Sequence, residues 1–170
     1  EQSEVFLEVV TRTFLGRPNM LVANRESLQE QTSAAWKQTL VVDYHRRGVV
    51  WANMQLRGFT PSGRYLWLLD DDDICIRPTL VAELQEIAQL NAPDVIFLRM
   101  DHGPLGVLPG GLQWGNRKLQ HGHIGCSGFV VRNETWMACR HNYGESYHGD
   151  YEFISTVAAD KSVRVYWHDV

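Results

Sequence analysis

The sequence predicts an α/β fold: a Rossmann-like, mainly parallel sheet flanked by helices in a single compact domain. Three observations carry that reading. Short apolar segments rich in β-branched and aromatic residues recur along the chain, as strands covered on both faces require. Segments of helical periodicity lie between them, the alternation that builds parallel sheets. The length, 170 residues, suits one well-cored domain rather than two.

Taken in order, a first strand is expected at Val5–Val10 and a second at Thr39–Val42, with a helix over roughly 19–31 between them. The third strand is Tyr65–Leu69. The clearest helix follows Pro78, where Leu80, Val81, Leu84, Ile87 and Ala88 fall on one helical face. Pro78 suits its start, and Asn91 with Pro93 suits its end. A fourth strand is expected at Val95–Met100, another helix through about 151–159, and an alternating strand at Val163–Trp167. Between 101 and 128 lie 8 of the 14 glycines. That composition fits a binding loop, a lid or a plain surface loop. No internal repeat is visible.

Composition narrows the function. With 44% hydrophobic and 21% charged residues the chain reads as an ordinary soluble globular protein. Sixteen basic against 20 acidic residues leave a net charge of −4, without the basic footprint that nucleic-acid binding needs. The three cysteines (Cys75, Cys126, Cys139) are odd in number and lack CxxC spacing. This argues against a disulfide framework or zinc ribbon and favours a reducing, cytoplasmic setting, in solution or peripheral to a membrane. The apolar runs are too short to span a bilayer, and there is no signal-type start.

The chemistry concentrates after the third strand, where Leu69 runs into Asp70-Asp71-Asp72-Asp73. Four adjacent carboxylates repel one another, so such a group takes up protons or recruits a cation. In an open α/β sheet, ligands bind beyond the carboxyl ends of strands, where these aspartates fall. Oxygen ligands suit Mg²⁺ or Mn²⁺. The bland alternative is an acidic turn leading into the next helix. A calcium loop fails at Ile74 and Cys75.

With these residues in place the chain resembles the family 2 glycosyltransferases with a GT-A fold. The family's Gly-x-Tyr motif, running into Leu-Asp-x-Asp-Asp, is matched from Gly63 through Tyr65 and Leu69 to Asp73. A first strand ending Thr11-Arg12-Thr13, a helix with Ser27-Leu28 and Gln31-Thr32, and a second strand ending in Asp43 complete the likeness. The resemblance implies a GT-A domain spanning residues 1–170, with its nucleotide-binding half at about 1–100 and its acceptor half at about 101–170. It implies a nucleotide-sugar donor, a UDP-sugar first, held by Thr11, Arg12, Thr13, Asp43, Asp70 and Asp71. A Mn²⁺ or Mg²⁺ ion would be held by Asp72 and a late histidine, His168, beside Asp169. Gly125–Gly128 would be the loop near the donor sugar. Asp150 would be the catalytic base of an inverting transfer to a hydroxyl on a sugar, lipid or protein.

Two departures stand out. The family's Val-Asp-Asp-Gly-Ser is here Val42-Asp43-Tyr44-His45-Arg46, and Gly149 replaces the Glu that normally precedes the base, leaving Glu152 as a fallback. Trp114, in the glycine-rich stretch, is the candidate platform for a sugar ring, whereas Trp51, Trp67 and Trp136 read as core. His121-Gly122-His123 reads as a pair of loop histidines. Two rival readings are a haloacid-dehalogenase-type phosphatase, with Asp70 as nucleophile, and a non-catalytic nucleotide-sugar-binding domain. The first is weakened by the 69 residues before Asp70 and by Ile154, which stands where a further Asp is needed.

Overall fold

The computed structural model describes residues 5–169. In chain order the elements are β1 (Leu7–Thr13), α1 (Pro18–Gln29), β2 (Trp36–Val42), α2 (Val49–Gly58), β3 (Tyr65–Leu68), α3 (Leu80–Leu90) and β4 (Val95–Phe97). They continue with β5 (Met100–Asp101), β6 (Val107–Leu108), α4 (Gly111–Gly115), β7 (Phe129–Arg132), α5 (Asn133–Cys139), α6 (Gly149–Ala159) and β8 (Val165–Trp167). Six strands form one sheet in the order β2-β1-β3-β7-β4-β8, and β5 pairs with β6 in a separate two-stranded ribbon. β1 runs parallel to β2 and β3, and β4 runs parallel to β8. β7 is antiparallel to both its neighbours.

Side-chain alternation divides the interior into two cores. Leu7, Val9, Tyr65 and Trp67 face α1 and α3, meeting Leu28, Leu80, Val81, Leu84 and Ile87. Val10, Leu66, Leu68, Phe97 and Phe129 face the other way, against Leu56 of α2, Trp136 of α5, and Phe153, Ile154 and Val157 of α6. Each such side chain, fully buried, contributes about 1.5–3 kcal/mol. Helices therefore cover both faces of the sheet.

Several elements depart from the sequence reading. β1 extends to Thr13 because its polar end finds partners: Gln38 donates to Thr11 Oγ1 at 2.9 Å, and Arg12 pairs with Asp70. β2 begins at Trp36 and lies half-buried at the edge of the sheet. α2, whose Gly-Val-Val-Trp start carries strand-forming residues, was not anticipated. It is started by Gly48, which sits at φ +84° and donates its N–H to Asp43 Oδ2 at 2.8 Å. β7 and α5 were likewise unforeseen, and β7 makes the sheet mainly rather than wholly parallel.

One glycine of the sequence motif has a structural reason. A Cβ on Gly63 would lie 2.7 Å from the backbone nitrogen of Glu8, so only glycine lets β3 enter the sheet beside β1. Among the described residues no helix is long and apolar enough to cross a membrane.

Candidate functional site

Because β1, β2 and β3 are parallel neighbours, their carboxyl ends share one edge of the sheet. Thr13, Asp43 and the aspartates after β3 meet there, around a cleft of about 420 Å³. Its walls include Arg12, Thr13, Arg17, Asp43, Arg46, Asp70, Asp71 and Asp72, together with Val49 and Ala52 of α2 and the exposed Tyr147.

The aspartate turn is held from below. Asn24, buried on α1, donates from Nδ2 to the carbonyls of Asp70 (3.0 Å) and Asp73 (2.8 Å), and its Oδ1 accepts from Gln38. The Asp73 N–H closes the turn onto the Asp70 carbonyl at 3.0 Å. The carboxylates then take separate partners. Arg12 forks onto Asp70, with Nε to Oδ1 at 2.8 Å and Nη2 to Oδ2 at 2.7 Å. Arg17 spans the next two, with Nη2 on Asp71 Oδ1 and Nη1 on Asp72 Oδ2 at 2.6 Å. Ser127 Oγ donates to Asp73.

Burial pushes the Asp71 and Asp73 carboxyls above the ordinary carboxylate range, and the neighbouring aspartates push the same way. Asp71 is fully buried, and its Oδ2 has no hydrogen-bond partner. An orphaned carboxylate oxygen beside a second carboxylate is a position that attracts a cation.

Arg12 links this turn to the second half of the chain. Its Nη1 donates to Asn53 Oδ1 at 2.7 Å. Asn53, buried on α2, donates to the carbonyls of Gly144 (3.0 Å) and Ser146 (2.9 Å), fixing the segment that carries Tyr147. Cys126 lies against the same group, with Sγ 3.2 Å from Asp70 Oδ2.

Asp150, in the first turn of α6, accepts from the N–H of Cys126 at 3.0 Å and from its neighbour Tyr151 at 2.7 Å. Cys126 thus touches both Asp70 and Asp150. Burial raises the Asp150 carboxyl, although these N–H groups and Arg12 oppose the shift.

Of the residues singled out in the sequence, Arg12, Thr13, Asp43, Asp70, Asp71 and Asp72 come together in the cleft. Asp43 also folds the turn before α2, accepting from the N–H groups of His45 and Gly48. Thr11 is buried beside Gln38 and does not line the cleft. His168 has a different partner: its Nε2 is 2.7 Å from Glu83 Oε2 at the start of α3. Trp114 is a correction. It is buried in the core, and its Nε1 donates to Asp169 at 3.0 Å, so its ring offers no sugar platform. Trp51, expected in the core, is only half-buried on α2, where Arg47 lies over its ring.

Gly149 also finds an explanation. A Cβ there would fall 2.1 Å from the Gly144 carbonyl oxygen, so this backbone leaves no room for the Glu of the family pattern. Sequence reasoning missed Arg17, Arg46, Asn53 and Tyr147. Arg17 and Arg46 were visible only as basic residues in the loops after β1 and β2. Asn53 and Tyr147 carried no signal.

Among the described residues no three His, Cys, Asp or Glu side chains converge as a ready-made metal set. The arrangement present is a pair of carboxylates, Asp71 and Asp72, bridged by a guanidinium. That pair fits Mg²⁺ or Mn²⁺, since such ions commonly use one or two carboxylates and take further oxygens from substrate phosphates.

No protein-family model matches the chain, and no curated protein does either. Solved structures do. S. aureus TarS 1-349 in complex with UDP is 12% identical with a TM-score of 0.70, covering 96% of this chain and 57% of that one. The mannosyltransferase PcManGT from Pyrobaculum calidifontis, in complex with GDP-Man and Mn²⁺, is 12% identical with a TM-score of 0.66, covering 95% and 54%. The 4-diphosphocytidyl-2C-methyl-D-erythritol synthase from Anaerococcus prevotii is 9% identical with a TM-score of 0.50, covering 99% and 91%. The chain therefore spans a little over half of the first two. These likenesses establish a GT-A-type fold, and fold alone does not select a reaction.

Proposed function

We propose that this chain is the nucleotide-binding and catalytic domain of a metal-dependent glycosyltransferase, moving a sugar from a nucleoside-diphosphate sugar to an acceptor hydroxyl. One observation carries the reading. The buried Asp71, with its orphaned oxygen, and Asp72 stand at the carboxyl end of β3, in a cleft that also presents Arg12, Arg17 and Arg46. Carboxylates for a cation and guanidinium groups for phosphates, side by side, suit an anionic nucleotide that arrives with a metal. Two of the solved structures named above hold UDP or GDP-Man, which supports a nucleotide donor, with a UDP-sugar tried first.

Roles follow from position. Thr13, Val41 and Asp43 line the wall for base and ribose. Asp70 keeps free lone pairs for a ribose hydroxyl even while forked by Arg12, because an ionised carboxylate accepts at about four sites. Asp71 and Asp72 would hold Mn²⁺ or Mg²⁺; His168, paired with Glu83, does not line the cleft, and its place beside the ion rests on the resemblance alone. When bound, the ion neutralises charge on the departing diphosphate. Arg46, which has no carboxylate partner among the described residues, faces the same cleft and adds positive charge there. Asp150 does not line the cleft itself but meets Asp70 through Cys126; raised by burial and anchored by two N–H groups, it is the base assigned to the acceptor proton in an inverting displacement.

The test is thermal unfolding with Mn²⁺ and a panel of UDP, GDP and CDP, on the wild type and Asp72→Ala, followed by transfer and donor-hydrolysis assays. A ligand at 100 times its Kd adds about 2.7 kcal/mol, roughly 5–10 °C at this size. A base-selective shift that needs Mn²⁺ and vanishes in Asp72→Ala is the expected result. No shift with any nucleotide refutes the reading. Binding without transfer or hydrolysis makes the domain a non-catalytic binder.

A further inference from the structure

Arg17 enters the donor-site reading only as a positive charge, and its geometry is more specific than that. Its guanidinium does not fork onto a single carboxylate. Nη2 goes to Asp71 and Nη1 to Asp72, one nitrogen per carboxylate. Its Nε is buried without a partner, and across the pair Asp71 Oδ2 is buried without one too. The guanidinium lies over the Phe14 ring at 5.2 Å, and Arg46 lies over the same ring at 5.8 Å. Two cationic groups thus converge on one aromatic ring at the wall of the cleft, and Arg17 already holds one oxygen of each carboxylate proposed for the ion.

We infer that Arg17 is an exchangeable countercharge: it neutralises Asp71 and Asp72 in the free protein and passes to the diphosphate when a divalent cation and nucleotide bind together. This inference rests on the donor-site reading and deepens it. A divalent cation on the free Asp71 Oδ2 would share both carboxylates with the guanidinium, and their like charges repel at such range. The cation alone therefore weakens the hold of Asp71 and Asp72 on Arg17 and leaves its charge poorly compensated. A nucleoside diphosphate removes that obstacle, because its oxygens suit the planar fork of a displaced arginine.

The exchange needs only side-chain rotation. The Arg17 carbonyl is fixed by the N–H groups of Met20 and Leu21, and Pro18 starts α1 immediately after it. The side chain is about one-third exposed on the cleft, so the path is open. Arg17 accordingly opposes Mn²⁺ when nucleotide is absent and assists nucleotide when Mn²⁺ is present. These opposite signs make the two ligands bind cooperatively.

The test measures binding, independent of turnover. Free Mn²⁺ is followed by electron paramagnetic resonance during titration of the wild type, Arg17→Ala and Arg17→Lys, and UDP binding at saturating Mn²⁺ is followed by calorimetry. Circular dichroism confirms that each variant is folded. Arg17→Ala is expected to bind Mn²⁺ alone more tightly and UDP with Mn²⁺ more weakly, each by about tenfold, within the usual range of coupling between sites. Arg17→Lys, a point charge without the fork, falls between. Loss of affinity for both ligands would mean that Arg17 merely shapes the site and would overturn the inference, as would no change in either. If the wild type binds Mn²⁺ but none of UDP, GDP and CDP, the donor reading falls. The diphosphate half of the inference falls with it, and tighter Mn²⁺ binding by Arg17→Ala still decides the competition half.

Discussion

Gly149→Ala subjects the packing behind the site to a direct trial. The added Cβ would lie 2.1 Å from the Gly144 carbonyl oxygen, 2.7 Å from its carbon and 2.9 Å from Asn53 Nδ2. A carbon and an oxygen need about 3.3 Å, so the Gly144 carbonyl must retreat by roughly 1.2 Å. That movement breaks the Asn53 Nδ2 to Gly144 hydrogen bond, now 3.0 Å, and strains the Gly144 N–H bond to the Gly149 carbonyl, now 3.2 Å. Overpacking costs about 1–3 kcal/mol and a buried hydrogen bond about 1 kcal/mol, so a loss of about 2–4 kcal/mol is expected. At this size that lowers Tm by roughly 4–16 °C.

The assay is urea unfolding followed by tryptophan fluorescence, with the midpoint falling and the slope unchanged. Gly115→Ala is the control, because a Cβ there meets nothing within 4 Å in a short helix, and it should be neutral or slightly stabilising. Helix propensity alone favours alanine over glycine, so the two forces predict opposite signs at Gly149. A Gly149→Ala protein as stable as wild type would refute the close contact and, with it, the reason given for the missing Glu.

Three further outcomes follow from the charged groups. Asp73 is raised by burial, so its folded form binds a proton more tightly than the unfolded form does. Its ionised state therefore costs stability at neutral pH, and the cost fades as pH falls through its folded pKa toward 3.8. Asp73→Asn should accordingly be more stable than wild type at pH 7 and lose that advantage in acid, measured by urea unfolding at both pH values. If Asp150 is the base, its raised pKa places the acid limb of kcat above the ordinary 3.8 of an aspartate, and Asp150→Asn should lower kcat by at least about a hundredfold. A variant with near-normal turnover removes Asp150 from the chemistry. For His168, loss of its pair with Glu83 predicts a change in stability of about 1 kcal/mol or less in His168→Ala. Mn²⁺-dependent UDP binding should weaken about tenfold or more only if the imidazole also ligates the ion, and unchanged binding confines it to its pairing with Glu83.

The legible parts of this fold were those where one physical signal dominated. α3 was readable because five apolar residues repeat on one face and prolines bracket the segment. β3 was readable because its core-facing residues on both sides are apolar and run directly into the aspartates. α2 was not, since Val49, Val50 and Trp51 favour strands. The helix there depends on Gly48 and on a carboxylate from five residues upstream. β7 was hidden because four residues between a glycine-rich loop and a helix leave little pattern, and its partners lie far away in sequence.

The site divides in the same way. Motif spacing brought out Asp70, Asp71 and Asp72, because their chemistry is local. Arg17 and Asn53 act through long-range contacts, 55 and 41 residues from their partners, which one-dimensional spacing does not carry. Trp114 misled because residence in a glycine-rich stretch says nothing of where the ring packs.

The cleft has a lopsided authorship along the chain. Every residue lining it falls between Arg12 and Asp72 except Tyr147. The pocket is thus encoded almost wholly by the first half of the polypeptide, whose three strands are parallel neighbours. The second half reaches those walls mainly from behind, through Cys126 and Ser127 on the aspartate turn and through the Gly144 and Ser146 carbonyls held by Asn53. Substitutions away from Cys126, Ser127 and the Gly144–Ser146 carbonyls can thus change what meets the pocket while touching its wall only at a single tyrosine.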